Sequence, residues 1–432
     1  MWSRKGVILI SAGIFLLMFA SVLKNYQLIV CGAAVFSFVT VSAFTTRHLI
    51  ITPLREYPEK VGRKESDMKI IRKLSAERVF EDGEIDVELI IVNKKGSGII
   101  EIRDKIPKEV RIKKGSNHVM LNLIPNSEVS VKYTVECPLM GPYIIGPVSI
   151  RTEDVSGMFY TEEEIGISSD FLVMPKTEEI KEVKIRSSVP KLYTGAVSIK
   201  QPGPGYEFYS LREYTPTDPL KNINWKAFVK TGKLMVNERE REAISDITII
   251  LDSRMQTNVG FVSKNPLIYG ARAAATLSSY FLKRRDSVSL VVYDDSIHIV
   301  TAGTGESQLL KILTALAGAT AKGSLPLQAV VKVVLPHIPP RSAVILISNL
   351  ENEVTIPNAV RDIRANDLYL TILTMSSIDI ELRANTISKA SYDISVMERE
   401  NMISELDKYG AKILDWHPDA PLISTLMGMK TS

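Results

Sequence analysis

"ITIIL", residues 247–251, is a short strand-forming run, aliphatic except for Thr248, with no alternating polar face. A strand of this kind is covered on both sides, which is the mark of a sheet sandwiched between helices. The chain after it keeps the same rhythm. The alanine-rich "IYGARAAATLSSYFLKR" (268–284) predicts a helix, "VSLVVY" (288–293) a strand and "ESQLLKILTALA" (306–317) a helix. A further helix is predicted over 326–335, a strand at "AVILIS" (343–348) and a helix over 357–365. "LYLTILT" (368–374), a helix near 398–409, the strand "AKILDW" (411–416) and a last short helix complete the series. Alternating strands and helices predict an α/β domain with a mainly parallel sheet. Ligands of such sheets gather at the carboxyl ends of the strands. There the sequence offers Asp252 after the first strand and Ser348-Asn349 at the end of another.

Upstream the period changes to two. "IDVELIIV" puts Ile85, Val87, Leu89 and Ile91 on one face and Asp86 and Glu88 on the other. "VSVKYTV" does the same with Val129, Val131, Tyr133 and Val135. Turn residues separate these runs at 81–83, 94–98 and 125–126. Several short alternating strands predict an immunoglobulin-like β-sandwich between Lys69 and Val173.

The first fifty residues are different again. "VILISAGIFLLMFASVL" (7–23) and "LIVCGAAVFSFVTVSAF" (28–44) are free of charge, each near the length that crosses a bilayer. Only 24–27 separate them, so a transmembrane helical hairpin is expected, with Gly32, Ala33 and Ala34 allowing close approach. Arg4 and Lys5 precede the pair, and Arg47, Arg55, Lys60, Arg63 and Lys64 follow it. That asymmetry places both ends, and the bulk of the chain, in the cytoplasm.

The totals narrow the function. A length of 432 residues fits two or three domains. The net charge of +4, from 53 basic and 49 acidic residues, does not argue for nucleic acid. Cys31 and Cys137 cannot form a disulfide framework or a cysteine-rich metal site, and the five histidines show no ligand spacing. "GTGES" (303–307) lacks the lysine of a phosphate loop, and there is no G-x-S-x-G elbow. No catalytic residue is assigned, and an enzyme is not expected. Asp252 supplies one hard oxygen ligand, to which Ser253, Ser324 and Asn349 add only neutral ones, so any cation site there is weak.

Between the two regular regions lies "PGPGYEFYSLREYTPTDPLKNINWKAFVKTGKLMVNERERE" (202–242). It resembles the signature of the domain-of-unknown-function family fifty-eight. Gly205, Glu207, Phe208, Leu211, Arg212, Tyr214, Asp218, Ile223, Trp225, Lys226, Leu234 and Val236 match; Thr217, Pro219, Lys221 and Asn224 depart from it. "GPYIIGPVSIRTEDVSGMFY" (141–160) and "FLVMPKTEEI" (171–180) resemble further parts of the same family.

The resemblance implies an order of parts: two transmembrane helices (1–55), a β-sandwich (65–175), the signature segment (176–245), and an α/β Rossmann-like von Willebrand factor type A domain (246–432). It implies a membrane-anchored, non-enzymatic scaffold or adaptor. Its expected partners are a MoxR-type AAA+ ATPase and an unidentified client complex whose assembly or maturation it serves. The alternative is a cell-surface adhesion or ligand-binding receptor. Type A domains often carry a metal-dependent adhesion site. Here its positions fall on Asp252, Arg254, Gln256, Ser324 and Asn349, so that a cationic side chain stands where Mg²⁺ belongs. Glu207, Phe208, Arg212, Tyr214, Asp218, Trp225 and Lys226 are expected to form an interdomain joint or a partner surface, with Glu207 and Arg212 as a charged pair.

Overall fold

In a computed structural model the described residues are 4–24, 26–49, 68–94, 98–153, 160–180, 197–216, 218–243, 246–340, 342–351, 353–384, 387–417 and 420–426. The chain divides into two units, Met1–Val173 and Met174–Ser432.

The first unit opens with α1 (Arg4–Leu23) and α2 (Tyr26–Leu49). Helix α1 is long and apolar enough to cross a membrane, whereas the apolar part of α2 is the shorter Tyr26–Ser42. The helices pack at two glycines. A Cβ on Gly32 would lie 2.7 Å from Leu17, and one on Gly13 3.1 Å from Val35. Gly32 is buried, while Ala33 and Ala34 are exposed, so only one of the three small residues serves the contact.

Strands β1 to β11 follow as Met68–Leu74, Arg78–Phe80, Gly83–Asn93, Gly98–Asp104, Arg111–Gly115, His118–Leu123, Ser127–Cys137, Gly141–Ile145, Val148–Glu153, Tyr160–Ile165 and Ser169–Met174. They form two four-stranded sheets, β1-β3-β7-β5 and β10-β9-β4-β6, and a three-stranded sheet, β2-β11-β8. Ile85, Val87, Leu89 and Ile91 of β3 enter one core with Ile100 and Ile102 of β4, Val135 of β7 and Phe171 of β11. The alternation read from the sequence thus turns every second side chain of β3 inward. Arg72 and Asp104 lie within this unit with both side chains fully buried, 2.6 Å apart.

The second unit begins with a ribbon. Strands β12 (Val197–Glu213) and β13 (Met235–Ala243) pair antiparallel, and helix α3 (Trp225–Thr231) stands in the connection between them. A sheet of six strands follows: β14 (Asp246–Asp252), β15 (Ser287–Tyr293), β16 (Ile297–Gly303), β17 (Ala343–Ser348), β18 (Tyr369–Met375) and β19 (Lys412–Trp416). Their spatial order is β16-β15-β14-β17-β18-β19. All pairs are parallel except β15 with β16. The edge strand β16 was not expected from the sequence: two of its seven residues are glycine and alanine, and four are exposed, so it lacks the apolar run of its neighbours.

Helices α4 (Pro266–Lys283), α5 (Gly305–Ala317), α6 (Leu327–Val334), α7 (Ile356–Ala365), α8 (Ile378–Arg383), α9 (Lys389–Lys408) and α10 (Leu422–Leu426) complete the unit. Ile250, Val344 and Leu346 meet Val330 and Val331 of α6 and Val360 and Ile363 of α7 in one core. Leu251 and Ile347, the alternate residues of the same strands, face α4 at Gly270, where a Cβ would lie 2.9 Å and 3.3 Å from them. Both faces of the sheet are therefore covered, which is why its strands read as continuous apolar runs. Helix α9 starts nine residues before the position expected, because its mixed Ser, Asp and Glu content gives no apolar stripe.

Candidate functional site

From β14 the chain crosses to β15 on one side, and from β17 to β18 on the other. Connections that diverge in this way open a crevice between the carboxyl ends of β14 and β17. The side chains gathered there come from Asp252 at the end of β14 and Arg254 after it, Tyr293 and Asp294 at the end of β15, Ser348 and Asn349 at the end of β17, and Glu351 and Glu353 beyond it.

Arg254 fills the crevice. Its Nε donates to Asp252 Oδ1 at 2.9 Å and its Nη2 to Oδ2 at 2.6 Å, a bidentate pair, and the Arg254 amide donates to the same Oδ1 at 3.1 Å. Nη1 lies 2.5 Å from Glu353 Oε2. The guanidinium carbon sits 5.3 Å from the centre of the Tyr293 ring. Ser348 Oγ donates to the same Asp252 Oδ2 at 2.8 Å. Burial works against the charge on Arg254, but the hydrogen bond to Asp252 and the two carboxylates outweigh it and raise its pKa further. Burial likewise raises the Tyr293 phenol, which stays neutral.

The surrounding loops are tied to this network. Glu353 accepts from the amide of Leu327 at 2.5 Å and from the Thr355 hydroxyl, so it caps α6 while holding Arg254. Ser253 Oγ donates to the Tyr293 carbonyl at 2.9 Å. The loop before α6 lies close by: the Met255 amide donates to Gly323 O at 3.1 Å, and the Lys322 amide to Ser253 O at 3.1 Å. Gly323 has φ 70°, and a Cβ there would stand 2.3 Å from the Asp295 amide nitrogen, so only glycine fits.

Asp252 and Asn349 are buried at this edge, and Ser324 is exposed on the adjacent loop. Asn349 turns its amide to Gln256 O at 3.3 Å. Both oxygens of Asp252 are already engaged by Arg254 and Ser348. This donor set does not fit a divalent cation: the guanidinium stands on the carboxylate a cation would need. Among the described residues no cluster of three or more His, Cys, Asp or Glu is arranged to hold a metal. Sequence reasoning missed Glu353. The signal was available in "SNLENE" (348–353), which puts two carboxylates just past a strand end.

The other of these, Glu351, is partly buried and accepts from the Ser377 amide at 3.1 Å and from its hydroxyl. Burial raises its pKa, against the Ser377 donors and the field of Arg399. The folded carboxyl therefore holds its proton at pH values where the unfolded one has lost it. Stability falls as pH rises through the window above the ordinary value of 4.5. Glu351→Gln should flatten that fall. Denaturation midpoints from pH 4 to 7 are the measurement, and a parallel shift at every pH would contradict the assignment.

The signature residues are organised differently from the expected pairing. Arg212 binds Asp218 through both terminal nitrogens, at 2.6 Å and 2.5 Å, and Glu238 through Nε at 2.8 Å. Asp218 also accepts from the Thr215 amide and hydroxyl, at 2.9 Å and 2.8 Å, closing the Thr-Pro-Thr-Asp turn. The Arg212 hydrogen bond, then Thr215, hold the Asp218 carboxyl well below its usual range. The side chains of Glu207 and Phe208 lie outside the described residues, so the expected Glu207–Arg212 pair does too. Tyr214 donates its amide to Leu234 O at 2.9 Å across the ribbon. Asn224, where the family pattern has aspartate, still caps α3 by accepting from Ala227 N at 2.9 Å. Trp225 and Lys226 are exposed on that helix.

Residues 210–382 match the family model described as "Protein of unknown function DUF58". That match supports the DUF58 family. It takes in the ribbon tip, α3 and the sheet as far as α8. No curated protein matches the chain. Among solved structures, a FixG-related protein from Vibrio parahaemolyticus is similar at 14% identity, covering 25% of this chain and 96% of its own, with a TM-score of 0.18. The GAE domain of GGA2p from Saccharomyces cerevisiae is similar at 18%, covering 25% and 94%, with a TM-score of 0.18. A non-cellulosomal cohesin from Archaeoglobus fulgidus is similar at 14%, covering 24% and 91%, with a TM-score of 0.17. Likeness at that level carries no argument about function.

Proposed function

We propose that this DUF58-like chain is a membrane-anchored, non-enzymatic adaptor whose α/β body is of the von Willebrand factor type A kind. In this reading α1 and α2 both cross the bilayer, the strands of the first unit form an immunoglobulin-like spacer, and the bulk of the chain is cytoplasmic. It works with a MoxR-type AAA+ ATPase, which supplies the hydrolysis, in assembling or maturing a client complex.

The observation that carries the reading is the Arg254–Asp252–Glu353 network at the mouth of the sheet. The position where a doubly wound domain holds its ligand is taken by the chain's own cation. What remains is a surface suited to binding a partner without a metal. The strand order, with the first three strands running outward as β14, β15 and the antiparallel β16, is compatible with a type A domain.

The test is purification of the full chain from native membranes in mild detergent, with and without a chelator. An AAA+ ATPase should copurify in equal amount in both. If crosslinked membranes yield no such ATPase, the adaptor reading fails. Protease treatment of sealed cells bears on the topology: digestion of the two units from outside would instead favour a surface receptor.

A further inference from the structure

We propose that the tip of the β12–β13 ribbon is a peripheral membrane-binding knob that takes an anionic lipid surface. Helix α3 is apolar, yet it buries no residue at all. Trp225 is 62% exposed, Phe228 37% and Val229 84%, and Leu220, five residues before Trp225, is 69% exposed. Trp225, Phe228 and Val229 stand at i, i+3 and i+4, so they share one face of the helix. A helix of seven residues gains little from its own hydrogen bonds, and stability of such helices normally comes from burying a face. Here the Asn224 cap, the left-handed Gly232 at φ 70° and the Ile223–Val236 bridge hold the helix on the ribbon while that face remains in water.

Charge identifies what covers it. Lys226 and Lys230 are spaced i and i+4 next to the apolar face, and Lys221 and Lys233 flank the helix. From Pro219 to Asn237 the chain has no Asp or Glu. Lys233 is engaged by Glu213 at 2.7 Å, but among the described residues Lys221, Lys226 and Lys230 have no ion-pair partner. Tryptophan with lysines close by in the chain is the composition of a membrane interface. The indole has an apolar body with one polar N–H, and lysine lays its stem along apolar surface with the ammonium in water. The feature is an exposed apolar helix face at a ribbon tip, with lysines next to it on the helix and on either side of it in the chain. That form enters a fluid acyl layer while its cations meet lipid phosphates; a protein partner would need a matching acidic-rimmed socket. The inference is independent of the ATPase partnership.

The test uses the full chain with Cys31→Ser and Val229→Cys, spin-labelled at 229. Cys137 is buried and does not compete for the label, and Val229 is exposed enough to carry one without disturbing the fold. The chain is reconstituted in vesicles of phosphatidylcholine alone or mixed equally with phosphatidylglycerol. In the mixed vesicles the label should become accessible to oxygen and shielded from a water-soluble nickel chelate. Removing the three free lysines (Lys221→Gln, Lys226→Gln, Lys230→Gln) should weaken that insertion roughly a hundredfold and return the label to water. A label that stays in water in the anionic vesicles overturns the proposal, and so does insertion that ignores lipid charge. Shielding seen only in native membranes, and not in lipid vesicles, would mean a protein partner and overturns it as well.

Discussion

Arg254→Ser is expected to destabilise the second unit by about 3–5 kcal/mol and to make its stability respond to magnesium. The loss follows from what remains. Asp252 and Glu353 have side chains 0% and 6% exposed, and without the guanidinium they face each other as uncompensated charges. Serine also removes the bulk that packs against Tyr293. The gain of metal response follows from the freed oxygens. With Arg254 gone, Asp252 and Glu353 present carboxylates beside the Ser348 hydroxyl and the new one, a donor set suited to a hard cation. A ligand that binds only the folded state at a hundred times its Kd adds about 2.7 kcal/mol, so magnesium should restore much of the loss. The measurement is denaturant unfolding of the full chain in detergent with magnesium or with chelator. A parent protein that responds to magnesium, or a variant no less stable than the parent, would refute the built-in cation. If the serine variant does not fold, Arg254→Lys serves instead. Lysine keeps the charge but loses the two-pronged geometry, and an intermediate loss is expected.

Asp104→Ala should cost the first unit a similar amount, about 3–5 kcal/mol. Asp104 accepts from Arg72 Nε at 3.0 Å, Arg72 Nη2 at 2.6 Å and the Tyr133 hydroxyl at 2.7 Å. Arg72 Nη1 reaches the carbonyls of Ile145 and Ile167, at 2.9 Å and 3.0 Å. One buried pair thus joins β1, β4, β7 and the end of β8. Truncating the aspartate leaves a buried guanidinium with no counter-ion and a buried phenol with no acceptor, and both penalties are larger than the net worth of the pair. The double replacement Arg72→Met with Asp104→Leu tests this account, because it removes both charges and keeps the volume. It should recover the part of the loss that comes from the unpaired guanidinium, while the Tyr133 phenol still lacks its acceptor. If the double variant is no better than the single one, the cost lies in packing and the electrostatic explanation is wrong.

Much of the architecture was legible because it depends on local pattern. "IDVELIIV" alternates, so β3 had to be half buried; "ITIIL" and "AVILIS" do not, so β14 and β17 had to be covered on both faces. The greasy run at 7–23 read as a membrane-length helix for the same reason. Elements without a strong period were harder to see. Strand β16 is held by pairing with β15 rather than by its own apolar content, and α9 is polar nearly all round.

By itself the sequence determined the class of most segments and the carboxyl-end location of the candidate site, since these follow from period and order. Only the tertiary structure decided who pairs with whom. Arg212 chose Asp218 and Glu238, and Arg254 chose Asp252 together with Glu353 from a different loop. Arg72 found Asp104 across 32 residues. Charge pairing over such separations depends on where the folded backbone brings the side chains and how much water it excludes, and neither quantity is written in any local stretch of chain.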